Sequence, residues 1–250
     1  MASCGTVGVL SDSLGHRLWL GNVCGVRMRP PVAVFVFGED FLATHHWHEL
    51  ARRVLDGHRL TREEGLAILA SPDTELLALL DAAYLVRRQF FGNRVHLNFL
   101  MNARSGLCGE DCGYCSQSRV SSADIPHYSM VDADTLLDGA RMAIERHAKT
   151  YCTVLSGRGP LEDDLEVIAQ VVPRIKAKWP LKICLSPGFL TTEQAQRLKD
   201  CGVDRINHNL NTSRQFYPSI CTTHSYQQRL ETLQAVRAAG MEICSGGIVG

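Results

Sequence analysis

Apolar residues recur at helical spacing from Trp47 onward. Trp47, Leu50, Ala51, Val54 and Leu55 fall on one face of a helix that Gly57 ends. Thr61-Arg62-Glu63-Glu64 reads as a capping box opening a second short helix. Ser71-Pro72 places a cap and a helix-compatible proline before a third helix, with Leu76, Leu77, Leu80, Ala83 and Tyr84 turned inward. Residues 45–92 are thus expected to form N-terminal helices whose role is packing. The rhythm then changes. Val95 to Met101 reads as a strand running into a cysteine-rich loop, and Asp132 caps a helix to about Ala148. Thr150 to Leu155 is a second strand, followed by a helix from Glu162 to Lys178 with acids early and lysines late, as the helix dipole prefers. Lys182 to Leu185 makes a third strand, and a helix opened by Thr192 is closed by Gly202. Arg205 to Leu210 is a fourth strand, a helix runs from Ser225 to Gly240, and Met241 to Cys244 begins a fifth.

Strand followed by helix, repeated, predicts an α/β fold with a parallel sheet, because parallel neighbours need a crossover. The length of the units over residues 93–250 suits a (βα)8 TIM-type barrel, of which about the first five units are present. Five parallel strands can also form an open doubly wound sheet. In a barrel, functional residues gather at the C-terminal ends of strands. Every unusual sulfur or amide residue falls at such a place or within a strand.

Lys+Arg and Asp+Glu each number 26, so no basic excess follows a phosphate backbone and nucleic acid is not an expected partner. No apolar run reaches the ~18 residues that span a membrane, and the run from Val32 to Phe37 is far shorter. Ten cysteines, clustered and without a complete signal peptide, point to metal in a reducing compartment. Residues 1–44 show no convincing periodicity. Their arginines (Arg17, Arg27, Arg29) and the single acid Asp12 before Glu39 give a composition like an organelle transit peptide. The preferred reading of this segment is a disordered extension, or a start site placed upstream of the true one. His45, His46 and His48 either clasp a metal or belong to a solvated loop leading into a helix.

The densest chemistry lies in Cys108-Gly109-Glu110-Asp111-Cys112-Gly113-Tyr114-Cys115. Thiolates favour zinc, copper(I) and iron–sulfur clusters. The loop offers three ligands, whereas a closed structural zinc site takes four. A cubane cluster on three thiolates keeps one iron open. No Ser/His/Asp triad or paired-carboxylate arrangement competes.

This Cys-x3-Cys-x2-Cys spacing, with Tyr114 before the last cysteine, resembles the signature of the radical S-adenosylmethionine (SAM) enzymes. Further stretches resemble the biotin synthase family over residues 47–250: Gly106-Leu107-Cys108 through Ser116-Gln117-Ser118, Tyr151-Cys152, Ser156-Gly157-Arg158-Gly159-Pro160, Asn207-His208-Asn209-Leu210-Asn211-Thr212 and Cys244-Ser245-Gly246-Gly247-Ile248-Val249-Gly250. The resemblance favours the barrel and implies strands beyond Gly250. It implies a [4Fe–4S] cluster on Cys108, Cys112 and Cys115, whose open iron chelates SAM. It also implies a [2Fe–2S] cluster on Cys152, Cys184 and Cys244, whose fourth ligand in the family is an arginine on a later strand. Each of these three thiols alone reads as core, since free cysteine is among the most buried residue types.

By the same resemblance, Tyr114 packs beside the adenine of SAM, Ser156 and Gly157 line its methionyl group, and Asn209 and Asn211 meet its ribose. Gly246 and Ile248 belong to an adenine-contacting motif, while Asn207 and Asn209 lie near dethiobiotin. Loop filling, strand capping and an ordinary turn are the plain alternatives for these positions, and His208 is read as structural. Cys4, Cys24, Cys201 and Cys221 match no ligand and stand as spare thiols. The implied activity is a radical-based sulfur insertion turning dethiobiotin into biotin, with a flavodoxin or ferredoxin as electron donor and a homodimer as the assembly. The implied location is cytoplasmic, or mitochondrial if residues 1–44 are a transit peptide. The isolated fragment is expected to be poorly soluble and inactive. Two other readings stay open: a radical SAM enzyme using only the first cluster, and a zinc-binding structural module.

Overall fold

A computed structural model describes residues 8–11, 17–20, 45–106 and 108–248. The chain divides into two compact units, Met1–Arg94 and Val95–Gly250. In the first, strands β1 (Gly8–Ser11) and β2 (Arg17–Leu20) pair antiparallel, where the sequence pattern predicts no element. The other residues of 1–44 lie outside the described ones, and the transit-peptide reading with them.

Helices α1 (His45–Leu55), α2 (Arg62–Leu69) and α3 (Leu76–Phe91) follow. Thr61 caps α2 as predicted: its hydroxyl accepts from the Glu64 amide at 3.2 Å, and the Glu64 carboxylate accepts from the Thr61 amide at 2.8 Å. Ser71 does not cap α3. Its hydroxyl donates back to the Ile68 carbonyl, and a 3-10 turn, Asp73–Glu75, intervenes. The expected inward face of α3 is also corrected. Leu76, Leu77, Leu80, Ala83 and Tyr84 are exposed, while Ala78, Leu79, Ala82 and Val86 pack with Trp47 and Ala51 of α1. The sequence of α3 is apolar nearly all round, so periodicity does not select a face; the small Ala78 and Ala82 admit the bulky Trp47. The candidate histidines sit in the first turn of α1, not in a loop. His48 lies 2.7 Å from Asp81 and His46 3.6 Å from Glu75.

The second unit holds a five-stranded parallel sheet in strictly sequential order: β3 (Asn98–Arg104), β4 (Thr150–Leu155), β5 (Lys182–Ser186), β6 (Arg205–Asn207) and β7 (Glu242–Cys244). A doubly wound sheet reverses its strand order at a switch point. Sequential order is that of a barrel wall, and the arrangement is a partial (βα) barrel. Helices α4 (Ala133–Glu145), α5 (Glu162–Lys178), α6 (Thr192–Asp200) and α7 (Tyr226–Ala238) supply the crossovers. Asp132, Thr191 and Ser225 each accept an amide at the start of α4, α6 and α7, satisfying a donor the helix leaves open. Strand β3 begins later than its pattern suggests, and β6 stops at Asn207, because 208–211 leave the ladder to build a loop.

Side chains alternate across a strand, and the register sorts them. Met101, Ala103, Tyr151, Leu155, Ile183, Leu185 and Ile206 point to the helices, where they join Leu136, Leu165, Ile168, Ile175, Leu198 and Val236 in the main core. The opposite face carries one row running Leu100, Cys152, Cys184, Arg205 and Glu242 across all five strands. Asn207 and Cys244 pair in the row above it.

Candidate active site

The cysteine loop leaves the C-terminal end of β3 and is gripped by a segment more than a hundred residues away. The Gly113 amide donates to the Ile220 carbonyl at 2.9 Å. Asp111 accepts from the amides of Thr222 and Thr223 at 2.9 and 3.2 Å, from the Thr222 hydroxyl, and from the Cys221 thiol at 3.2 Å. The Thr222 donors above all hold its carboxyl far below the usual carboxylate range. Glu110, 8% exposed, accepts from Thr223 Oγ1, Arg158 Nη1 and His224 Nδ1. Burial opposes its ionisation, yet these donors prevail and lower its pKa. Adjacent acids in the loop are thus its handles, while the cysteines remain free thiols.

Cys108 and Cys115 are partly exposed and Cys112 is buried. Burial, reinforced by the neighbouring Cys221 thiol, pushes the Cys112 thiol up to about 12. Cys221, a spare thiol by sequence, is seated 3.8 Å from Cys112. Its loop, Ile220-Cys221-Thr222-Thr223-His224, is what sequence reading missed. The thiol–imidazole spacing within it was a visible hint.

Beyond the cysteines, Tyr114 turns toward the other strand ends. Asn211 Nδ2 donates to the Tyr114 hydroxyl at 2.6 Å, and Arg229 Nη2 approaches the same oxygen at 3.3 Å. Burial holds the phenol protonated well above its ordinary range. Asn211 adopts φ 67°, a left-handed conformation for which asparagine is enriched. From there its backbone runs beside Gly246–Ile248: the Asn211 amide donates to Gly246 O at 3.0 Å and the Ile248 amide to Asn211 O at 2.7 Å. Arg229 Nη1 donates to the Asn209 carbonyl at 3.0 Å. Tyr114, Asn209, Asn211, Gly246 and Ile248, five residues singled out by sequence, thus meet at one mouth. Arg229, not foreseen, brings a cation to it. His208, read as structural, is buried with its ring edge-on to Phe189.

Ser156 and Gly157 lie on the neighbouring loop after β4. Arg104, buried at the end of β3, ion-pairs with Asp164 and donates to the carbonyls of Ser156 at 2.6 Å and Gly159 at 3.0 Å. Gly157 has φ +121°, and a Cβ there would run into the Arg104 guanidinium, so the position needs glycine. A cleft of about 780 Å³ beside this loop is lined by Arg104, Gly157, Arg158 and Gly159 but by none of the cysteines.

Three further thiols lie on the strands of the barrel wall, while Cys201 caps the end of α6. Cys152 and Cys184 are register partners on β4 and β5, and both are buried. The two adjacent thiols compete for ionisation: Cys152, with burial, raises Cys184 strongly, and Cys184 lowers Cys152. Cys244 lies two strands away in the row above, and Asn207 Nδ2 reaches its sulfur at 3.5 Å. Arg205 stands between them in register, braced by Glu242 at 2.7 Å, with Lys182 at 2.6 Å on the same carboxylate. The Arg205 charge favours the thiolates of Cys152 and Cys184, a smaller influence than the coupling between those two thiols.

The donor chemistry fits iron–sulfur ligation at both places. The first offers three unbridged thiols on one anchored loop; the second offers three on the inner face of separate strands, one already receiving an amide hydrogen bond at sulfur. This chain belongs to the radical SAM superfamily, whose pattern matches residues 104–250. Membership implies a [4Fe–4S] cluster and SAM.

Within that class the sequence is similar to biotin synthases. It is 54% identical over 205 residues to the biotin synthase of Rhodopirellula baltica, covering 82% of this chain and 57% of that protein. It is 52% identical over 204 residues to that of Anoxybacillus flavithermus, covering 82% and 62%. The chain therefore spans roughly three-fifths of the length of these relatives. The fold is similar to that of methylornithine synthase, with TM-score 0.70 at 21% identity over 80% of this chain and 59% of that one. It is also similar to the FeFe-hydrogenase maturase HydG of Carboxydothermus hydrogenoformans, with TM-score 0.66 at 19% identity over 83% and 49%.

Proposed function

We propose that the whole protein is a biotin synthase, inserting sulfur into dethiobiotin with SAM as the radical source. The observation that carries this reading beyond the superfamily is the set Cys152, Cys184 and Cys244 on one face of three barrel strands, facing the same interior as Asn207. A radical enzyme of the superfamily has no general need of three such thiols, whereas a sulfur-inserting one needs a sulfur source beside its substrate.

When bound, the [4Fe–4S] cluster and SAM supply a carbon-centred radical able to take hydrogen from an unactivated C–H bond, and the [2Fe–2S] cluster supplies sulfide. The chain's own residues hold and orient. Cys108, Cys112 and Cys115 would carry the first cluster, on a loop that Glu110 and Asp111 fix. Asn209 and Asn211 offer amides to hydroxyl or ureido groups at the mouth, and Tyr114 offers a ring face and a hydroxyl beside them. Arg229 offers its guanidinium to an anionic group there. Asn207, donating to the Cys244 sulfur, ties substrate-side polarity to the second thiol set. A flavodoxin- or ferredoxin-type donor, a homodimer and a cytoplasmic location complete the proposal.

The test is a pair of variants in the reconstituted whole protein. Cys184→Ala is expected to abolish biotin formation while SAM cleavage to 5′-deoxyadenosine persists, and Cys108→Ala to lose both. Full biotin formation in Cys184→Ala would remove the sulfur-donor assignment, and SAM cleavage without any biotin formation in the wild type would leave a radical SAM enzyme of another substrate.

A further inference from the structure

Among the described residues, Cys112, Cys221 and His224 form a group whose metal-binding atoms converge. The Cys112 and Cys221 sulfurs are 3.8 Å apart, and His224 Nε2 lies 3.6 Å from Cys221 and 4.0 Å from Cys112. A tetrahedral ion with metal–sulfur bonds of ~2.3 Å and metal–nitrogen bonds of ~2.0 Å has sulfur–sulfur edges of about 3.8 Å and sulfur–nitrogen edges of about 3.5 Å. The three atoms therefore already stand close to three corners of such a tetrahedron. All three residues are buried.

The hydrogen bonds suit a metal too. His224 Nδ1 donates to Glu110, which leaves Nε2 as the atom with a lone pair. A carboxylate behind the distal ring nitrogen is the arrangement that fixes tautomer and orientation in histidine metal ligands. Arg229 Nη2 now occupies that lone pair at 3.0 Å, but its guanidinium has other acceptors, the Asn209 carbonyl and the Tyr217 hydroxyl, to which it can hold when an ion arrives. Asp111 is committed to the amides of Thr222 and Thr223, so the fourth corner falls to water. A surface cleft of about 590 Å³, bordered by Cys221, His224 and Tyr217, gives an ion a way in.

We propose that Cys112, Cys221 and His224, backed by Glu110, form a mononuclear site for a soft divalent cation of the zinc class. Because Cys112 serves both sites, this ion and a cluster on Cys108, Cys112 and Cys115 exclude one another. The site stands on its own residues; only the exclusion rests on the cluster reading. A chain emerging without its cluster would hold zinc here, and loading would require that ion to leave.

The test uses the full chain, stripped by chelator and kept anaerobic, titrated with Co(II) and then Zn(II). Wild type is expected to show the sulfur-to-cobalt charge-transfer band and the intense visible bands of tetrahedral cobalt, both bleached by zinc. Cys221→Ser and His224→Ala should each weaken binding by about tenfold or more, and Glu110→Gln by about 10- to 100-fold. Cys108→Ser and Cys115→Ser should leave it unchanged. Far-UV circular dichroism identifies folded variants, and His224→Asn stands in where His224→Ala does not fold. Loss in Cys115→Ser with retention in Cys221→Ser would move the ion to the cysteine loop and overturn the site, as would the absence of a tetrahedral spectrum. Zinc-loaded wild type should resist anaerobic iron–sulfide reconstitution, whereas Cys221→Ser accepts it in the presence of zinc. Full cluster uptake by a zinc-retaining wild type would overturn the exclusion. These optical readouts are independent of biotin or 5′-deoxyadenosine formation, so the site and the proposed activity fail separately.

Discussion

Arg104 and Asp164 show what single side chains do for this site. Their charges are paired at 7% and 3% side-chain exposure, and the arginine also satisfies two carbonyls of the Ser156–Gly159 loop. Removing one partner leaves a buried charge without compensation. Asp164→Ala is expected to cost about 3–5 kcal/mol in denaturant unfolding, and a loss within that of an ordinary surface substitution would contradict the pairing. His208 acts in the opposite sense, as a buried base kept neutral. Burial lowers its pKa from 6.5 to about 3. The unfolded chain therefore binds this proton first, so the contribution is complete above pH 6.5 and is lost as pH falls toward 3. Stability should fall by about 2 kcal/mol between pH 6.5 and pH 5 through this residue, and His208→Leu should flatten the slope of unfolding free energy against pH. At this scale the spacing of Cys108, Cys112 and Cys115 was legible in the sequence as a ligand pattern. The sequence did not disclose Cys221, Arg104 or Arg229, whose partners lie 109, 60 and 115 residues away. Such pairings exist only once the chain has closed.

At the level of elements, capping was readable at Thr61 and Asp132, whereas the cap expected at Ser71 is absent and Thr191 was not singled out. Asp132, Thr61, Thr191 and Ser225 stand before their helices because each offers an oxygen to an amide the helix leaves open. Asp132→Ala should destabilise the fold by about 1 kcal/mol, seen as a lower denaturation midpoint with unchanged slope, and an unchanged midpoint would deny the cap its role. Strands β4 and β5 were equally legible, with Thr150 to Leu155 matching its predicted span. The packed face of α3 was not, since leucines surround it and the deciding partner, Trp47, sits on another helix. Nor was the early end of β6. The pattern of 205–210 continues, but only three residues find ladder partners, and the chain then turns through Asn211 to build the mouth. The 220–224 segment carries no periodicity at all. Its importance comes from the Glu110 and Asp111 carboxylates on the cysteine loop, which it satisfies together with Arg158.

For the molecule as a whole, the alternation of strand and helix foretold a parallel sheet, and the sequential strand order made it a barrel wall. That order places the cysteine loop, the Ser156–Pro160 loop, Asn209, Asn211 and Gly246 at one end, with Cys152, Cys184 and Cys244 below them on the inner face. The superfamily follows from residues 104–250, and the proposed function places the cluster on the Cys108–Cys115 loop. The most direct measurement is anaerobic iron–sulfide reconstitution, reduction with SAM present, and an assay for 5′-deoxyadenosine. In the whole protein the account predicts a cubane signal and this product, with both lost in Cys115→Ala. A reconstituted protein that holds no cubane, or one whose cubane and product survive the loss of Cys115, would contradict it.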